Sequence, residues 1–379
     1  MVNNLFTPPG LIGRASELQQ ITRILADDGD FSLVGAPGIG RRTLIYAAAQ
    51  QIGARVIELD CLRITNAQRL LRLLASGLLQ IFAQPEELGL IQRWSLKQAV
   101  VLEQSAAGPR LVWSEAPDQE WSVFQALLAL PQIMAESLDC RVVVLFLNFP
   151  HLRSWDRSGQ WEAHLRQEIQ QQNRVSYALV STVVEPWIQQ SQLPVIFLAP
   201  LADTVIANWL ISTMAAEGFE FSQEALHLFT ANVQGHLGDA IALARRIWLD
   251  QRALSDFQPC LLEAQSPPNH KPDALPTYQI EAHHVHRSTL ALVDDLSVTF
   301  ESLILLLPPS QVRVLESLAL DPTDKPQSRD YIQKHQLSRG GSLQGALSSL
   351  EQKGLLYGPE KAYRVALPFL TFWLRQRLS

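Results

Sequence analysis

The stretch Phe31-Ser-Leu-Val-Gly35-Ala-Pro37-Gly38-Ile39-Gly40-Arg41-Arg42-Thr43-Leu44 decides the fold. It reads as a short buried strand, a glycine-rich loop and the start of a helix. Gly35 and Gly40 have the spacing of a phosphate-binding loop, G-x-x-x-x-G-K-[ST]. In such a loop, backbone N–H groups at a helix N-terminus cradle phosphate oxygens. Here the lysine position holds Arg41 and the magnesium-binding hydroxyl position holds Arg42. Thr43 comes one residue late.

Outward from this stretch, apolar strands alternate with amphipathic helices. The spacing predicts strands at Arg55–Asp60, Arg141–Asn148, Val175–Thr182 and Val195–Leu198, and helices at Thr43–Ile52, Asn66–Phe82, Trp121–Leu138 and Trp161–Gln172. A further helix over 16–25 is expected, with Ser16 at its cap. Near-continuous apolar strands alternating with helices predict an α/β domain, a parallel sheet covered on both faces. The phosphate loop then lies at the carboxyl ends of the strands, where such sheets bind ligands. From about residue 203 the pattern becomes helical, with Asp239 capping a helix to Gln251. Residues 256–287 are rich in Pro, Gln and His and read as a connection. The end of the chain reads as three helices, one of them capped by Ser342, then two short strands around Gly358-Pro-Glu-Lys361, and a last helix. That is a winged helix-turn-helix pattern. The expected organisation is an α/β domain over 1–201, a helical lid over 202–255, a linker over 256–299 and a winged helix over 300–379.

The 379 residues are 47% hydrophobic, ample for real cores, and carry a formal charge of −6, which excludes a polybasic nucleic-acid binder as a whole. The three cysteines, Cys61, Cys140 and Cys260, are far apart and have no metal-ligand spacing. Residues 1–10 have no signal-peptide pattern, and no apolar run approaches the roughly 20 residues of a membrane span. The expectation is a cytoplasmic protein with no membrane partner.

Several stretches, in order, resemble the archaeal-type ATPases, an AAA-related, STAND-like class of P-loop proteins. Ile12-Gly13-Arg14 with Glu17-Leu18 resembles the family's opening motif near the nucleotide base. Gly35–Thr43 is the phosphate loop, and Val142–Asn148 resembles the Walker B strand. Arg174–Ser181 resembles the sensor strand. Gly235-His236 resembles a Gly-His-Pro turn without its proline. Leu307–Leu355 resembles the winged-helix tail, and Pro368…Trp373 the terminal Asp-Pro-x-x-x-x-Trp signature with Leu367 in place of Asp. The resemblance implies an AAA-like parallel sheet, a helical lid and a C-terminal winged helix. It implies ATP or ADP as ligand at Gly13, Arg14, Gly35, Pro37, Gly38, Ile39, Gly40, Arg41, Arg42, Thr43 and Leu44.

Hydrolysis in that class needs a lysine on the β/γ-phosphates, a hydroxyl on Mg²⁺, an aspartate holding Mg²⁺ and a glutamate activating water. Arg41 is bulkier and differently aimed than lysine. Arg42 puts a cation where Mg²⁺ would be coordinated, and two cations a few Å apart repel by roughly 4 kcal/mol at an intermediate dielectric. Asn148 stands at the aspartate position and Phe149 at the glutamate position. These replacements predict a catalytically degenerate protein with neither a catalytic set nor a metal site. The loop is then either a clamp for ATP or ADP without Mg²⁺, its arginines neutralising phosphate, or an empty structural turn. The rival enzyme reading is a slow ATPase using Thr43 with Asp60 or Asp156.

Other candidates carry less. Glu58 and Asp60 share one face of a strand, either as a surrogate acid pair or as partners of Arg41 or Arg42. His236 is a lid contact to nucleotide or a turn histidine. His283-His284-Val-His286 reads as solvated linker and not as a metal site. Arg153, Arg157 and Arg166 are solvated or reach a neighbouring subunit. The winged-helix segment 301–379 has three more basic than acidic residues. Arg339, Gln344, Lys353, Lys361 and Arg364 are its candidate DNA contacts. The resemblance further implies a protein partner, either an intact ATPase or a second copy.

Overall fold

The computed structural model describes residues 6, 10–106, 108–114, 116, 119–169, 171–257, 278–338, 340–357 and 363–378. The chain divides into two compact units, Arg14–Gly35 with Arg41–Leu198, and Met1–Gly13 with Ala36–Gly40 and Ala199–Ser379.

The first unit holds α1 (Ala15–Ala26), β1 (Phe31–Gly35), α2 (Arg41–Gln51), β2 (Arg55–Asp60), α3 (Ala67–Ile81), α4 (Pro85–Ser95), β3 (Val101–Ser105), β4 (Gly108–Val112), α5 (Glu120–Leu138), β5 (Val142–Leu147), α6 (Gln160–Glu168), β6 (Val175–Ser181), α7 (Pro186–Gln190) and β7 (Val195–Leu198). Single 3₁₀ turns follow β2 and β5. Five strands form one parallel sheet in the order β2-β5-β6-β1-β7. The sequence demands this arrangement, because every residue of β1 and β6 is buried and β5 is buried up to its last residue. Such strands must be covered on both faces, and only crossover helices do that for parallel neighbours. Helix α3 shows how the cover is held: Leu70, Leu71, Leu74 and Leu78 are buried at helical spacing. Each contributes about 1.5–3 kcal/mol. The register pairs Val34 with Ser181, Gly35 with Leu198 and Asp60 with Leu147, so the carboxyl ends of all five strands finish at one edge.

The second unit holds α8 (Asp203–Ala215), β8 (Phe219–Phe221), α9 (Gln223–Val233), α10 (Leu237–Phe257), β9 (Tyr278–Ile280), α11 (Ala282–Leu305), α12 (Pro309–Leu320), α13 (Arg329–Lys334), α14 (Gly341–Gln352), β10 (Leu356–Tyr357), β11 (Arg364–Val365) and α15 (Pro368–Leu378). Strands β10 and β11 pair antiparallel as the wing. The lid and the winged helix are not separate bodies. One apolar cluster runs from Leu201 through Phe229, Ile247 and Val293 to Leu347 and Leu374.

Five expectations are corrected here. The segment 256–299 is not a linker throughout: β9 pairs parallel with β8, and most of α11 lies within it. Val285, Thr289, Val293, Phe300 and Ile304 are the buried stripe of α11, a helical period masked by the polar residues between them. The histidines at 283–286 therefore sit in a helical first turn, where Nδ1 of His284 accepts the Glu281 N–H at 3.0 Å. The hairpin β3–β4 was unforeseen. The caps also shift: Arg14 precedes α1, with Ser16 inside it donating to Glu17, and Gly340 at φ +67° precedes α14 in place of Ser342. Asp239 lies in the first turn of α10, which already begins at Leu237.

Candidate functional site

The loop between β1 and α2 presents unused donors. Among the described residues, no hydrogen bond uses the N–H of Gly38, Ile39 or Gly40. The first N–H groups of α2 have no intrahelical acceptor either. Gly38 (φ +81°) and Gly40 (φ +93°) adopt the left-handed backbone that this cradle needs. Ile39 and Leu44 are buried anchors, so their side chains hold the loop and are not aimed at a ligand. Thr43 is exposed.

Arg41 is the central side chain. Its Nη1 donates to the carbonyls of Gly35 (3.0 Å) and Ser181 (3.2 Å), at the ends of two adjacent strands. Among the described residues it has no carboxylate partner. Loss of water alone pulls its pKa down to about 10. It is still charged at neutral pH, but it has exchanged hydration for two neutral carbonyls, which leaves its charge uncompensated. Arg42 is different. It is 63% exposed, its Nε meets Glu58 Oε2 at 2.5 Å, and its guanidinium lies over the Tyr46 ring. The bond to Glu58 raises the Arg42 pKa. Of the two arginines, only Arg41 lacks a carboxylate partner among the described residues.

Asn148 and Phe149, which stand at the acidic positions of the resembled class, have structural partners. Asn148 has φ +53°, a conformation that asparagine tolerates better than most residues. Its amide donates to Asp60 Oδ1 at 2.9 Å, and the same oxygen accepts the Leu62 N–H at 3.1 Å. Phe149 is 1% exposed and packs on Phe146 and Trp187. No group of three or more His, Cys, Asp or Glu that could hold a metal ion exists among the described residues. Asp156 is also structural, accepting from Ser158 Oγ and the Glu162 N–H. Ser181 Oγ donates to the Val183 carbonyl at 2.6 Å.

The tip of the loop, Ala36–Gly40, belongs to the second unit and is held within it. Nε2 of His236 lies 2.7 Å from the Pro37 carbonyl, and the Gly238 N–H donates to the Gly38 carbonyl at 3.0 Å. Any Cβ on Gly38 would fall 2.5 Å from the His236 ring. Burial opposes charge on His236, but the Asp239 carboxylate and the Pro37 carbonyl outweigh it and raise its pKa. Separately, Gly13 presses on α8, where an added Cβ would meet Val205 at 2.3 Å. Beside it lies a cavity of about 650 Å³, lined in part by Leu11, Ile12, Gly13, Trp209 and Thr213. Arg14, by contrast, is buried and pairs with Glu17 at 2.9 Å within the first unit.

The winged-helix candidates are dispersed. Gln344 on α14 accepts from Gln327, and Lys353 Nζ donates to Gln311 at 2.7 Å. Arg364 is exposed on β11, while Arg339 and Lys361 lie outside the described residues. Arg153 and Arg166 are partly exposed, at 40% and 36%, and both have carboxylate partners within the first unit. Both pair with buried Glu162, and Arg153 also pairs with Glu185. The pairing of Asn148 with Asp60 escaped the sequence reading. Its signal was the end-to-end placement of two strands that prove to be parallel neighbours.

Comparison with known structures bears on this arrangement. The Walker-type ATPase of Pyrococcus abyssi superposes with a TM-score of 0.65 at 14% identity, over 98% of this chain and 99% of that one. The chain has the Walker-type ATPase fold. The Orc2 protein of Aeropyrum pernix, in its ADPNP–ADP complexes, gives a TM-score of 0.55 at 15% identity, over 99% of this chain and 97% of that one. The family described as a probable winged helix domain matches residues 298–376. No curated protein matches by sequence. The resemblance to archaeal-type ATPases thus holds at the level of the fold, with its C-terminal winged helix. No helix among the described residues is long and apolar enough to cross a membrane.

Proposed function

We propose that this protein binds a nucleoside di- or triphosphate without Mg²⁺ and does not hydrolyse it, acting as a nucleotide-responsive subunit of a larger assembly. The observation that carries this reading is Arg41, a guanidinium at the strand ends with two carbonyls for partners and no acid among the described residues. Next to it in sequence, the loop amides of Gly38, Ile39 and Gly40 have no other acceptor. A phosphate group would supply the missing anion and satisfy those donors. The cavity beside Gly13 has the volume for a purine base. One neighbour in the same fold, Orc2, was solved with adenine nucleotides, in its ADPNP–ADP complexes and in its ADP form.

Loss of hydrolysis rests on the same geometry. Phe149 is a core side chain, the Asn148 amide is directed to Asp60, and Asp60 and Asp156 already serve as structural acceptors. The slow-ATPase reading therefore lacks an acid. For the winged helix, a protein partner fits better than DNA. The exposed residues of α14 are Gly341, Ser342, Gln344, Gly345 and Gln352, none a cation, and Lys353 at its C-cap already donates to Gln311. Calorimetric titration of ADP into the protein in EDTA, beside a phosphate-release assay with ATP and Mg²⁺, tests the proposal. Binding heat without turnover is expected; turnover abolished by R41A would overturn it.

A further inference from the structure

The contacts of His236 do not end at the phosphate loop. A carbonyl only accepts, so the 2.7 Å contact to Pro37 places the ring proton on Nε2. In the neutral ring Nδ1 then accepts, and it takes the Asp239 N–H at 3.1 Å. Asp239 Oδ1 also lies 3.1 Å from Nδ1, and its second oxygen accepts the N–H of Phe369 at 3.4 Å. Phe369 is in the first turn of α15, the terminal helix of the winged helix. That turn lacks a local cap, because Leu367 is apolar and Pro368 has no N–H. Asp239 thus serves two helix N-termini, its own in α10 and that of α15, where a carboxylate is favoured by both dipoles.

The turn that carries His236 is itself fixed. Gly235 has φ +79°, and its carbonyl accepts the Leu201 N–H at 2.9 Å. An added Cβ there would lie 2.4 Å from the Leu201 carbonyl. With the Gly238 N–H also bonded to the Gly38 carbonyl, the loop tip is held at two points.

We infer that His236 and Asp239 are positioning residues that carry the state of the phosphate loop to the terminal helix of the winged helix. The inference deepens the proposed function by naming its output: a ligand that reshapes residues 36–40 alters the grip on His236, and through Asp239 the only side-chain cap of α15 among the described residues. The winged helix is then the element whose local stability reports occupancy. The two ends of the path are residues of one compact unit, so the coupling needs no further body.

Hydrogen–deuterium exchange on the full chain tests this, following peptides over 36–44 and 366–374, with 142–147 as a control for the global fold. His236 does not itself bond α15, so a purely local role predicts no change there. In the absence of ligand, His236→Ala is expected to speed exchange at 366–374 about tenfold while 142–147 is unchanged. Unchanged exchange at 366–374 overturns the relay. If H236A does not fold, H236Q decides, since it keeps a donor for Pro37 and loses the acceptor for Asp239; faster exchange at 366–374 alone supports the relay, and none overturns it. A second arm adds ADP. Wild type is expected to respond in both loop and terminal peptides, and Asp239→Asn in the loop peptide with a diminished terminal response. An equal terminal response in D239N overturns the relay. A silent loop peptide overturns the nucleotide reading alone, because the ligand-free arm decides the relay independently.

Discussion

The carboxyl end of the parallel sheet and the exposed face of the winged helix hold their cations in opposite ways. At the sheet, Arg41 is half-buried against two carbonyls, with no acid among the described residues. On the winged helix, Lys334 meets Asp321 at 2.6 Å, Lys353 meets Gln311 at 2.7 Å and Arg375 meets the Ala319 carbonyl at 2.6 Å. Among the described residues, the exposed cations Arg313, Lys325, Arg329 and Arg364 lie off α14. An exposed, hydrated or bonded cation gains little from a new anion, because median surface pairs contribute about 0–1 kcal/mol. A desolvated one gains much more. The difference is why we propose anion binding at the sheet and not on the winged helix.

The variants that break or sharpen this contrast fall in a descending order of effect. Phe149→Glu restores the hydrolytic residue type but puts a carboxylate among Phe146 and Trp187. It should cost about 3–5 kcal/mol in urea unfolding, with no gain in phosphate release. Arg41→Ala should weaken ADP binding in titration calorimetry by about 30- to 1,000-fold, equivalent to about 2–4 kcal/mol. Gly38→Ala needs a left-handed alanine and displaces the His236 ring, so the midpoint of denaturation should fall by the equivalent of about 1–3 kcal/mol.

A smaller effect depends on pH. The folded pKa of His236 lies above its ordinary 6.5. Its stabilising contribution is therefore fully present below 6.5 and lost as pH rises through the folded value. The stability difference between wild type and H236Q should shrink across that window. The smallest effect is expected at the wing: joint replacement of Lys353 and Arg364 by Ala should leave stability within about 0.5 kcal/mol and reveal no salt-sensitive DNA binding to lose.

The sheet was legible because its strands are continuous apolar runs, and the loop because glycine spacing is a local signal. Arg41 and Arg42 were equally visible as residues, yet only the fold separates their roles. Glu58 reaches Arg42 from β2, while Arg41 turns to the ends of β1 and β6. The lid histidine was visible too, but its partner Pro37, and the Phe369 that Asp239 reaches, are distant in sequence and bond through backbone atoms, which no residue type encodes. Helix α11 was hidden because its apolar stripe is interrupted by His, Asp and Ser. Its partner surface on α9, α10 and α15 is what makes that stripe sufficient.

If Arg41 stands in for a metal's charge at the phosphate loop, ADP binding does not need Mg²⁺. The most direct measurement is the ADP dissociation constant of the wild-type protein in EDTA and in excess Mg²⁺. The account predicts saturable binding in EDTA with an affinity within about threefold of that in Mg²⁺, a difference of less than about 1 kcal/mol. Absence of binding in EDTA, or a gain of tenfold or more on adding Mg²⁺, would contradict it.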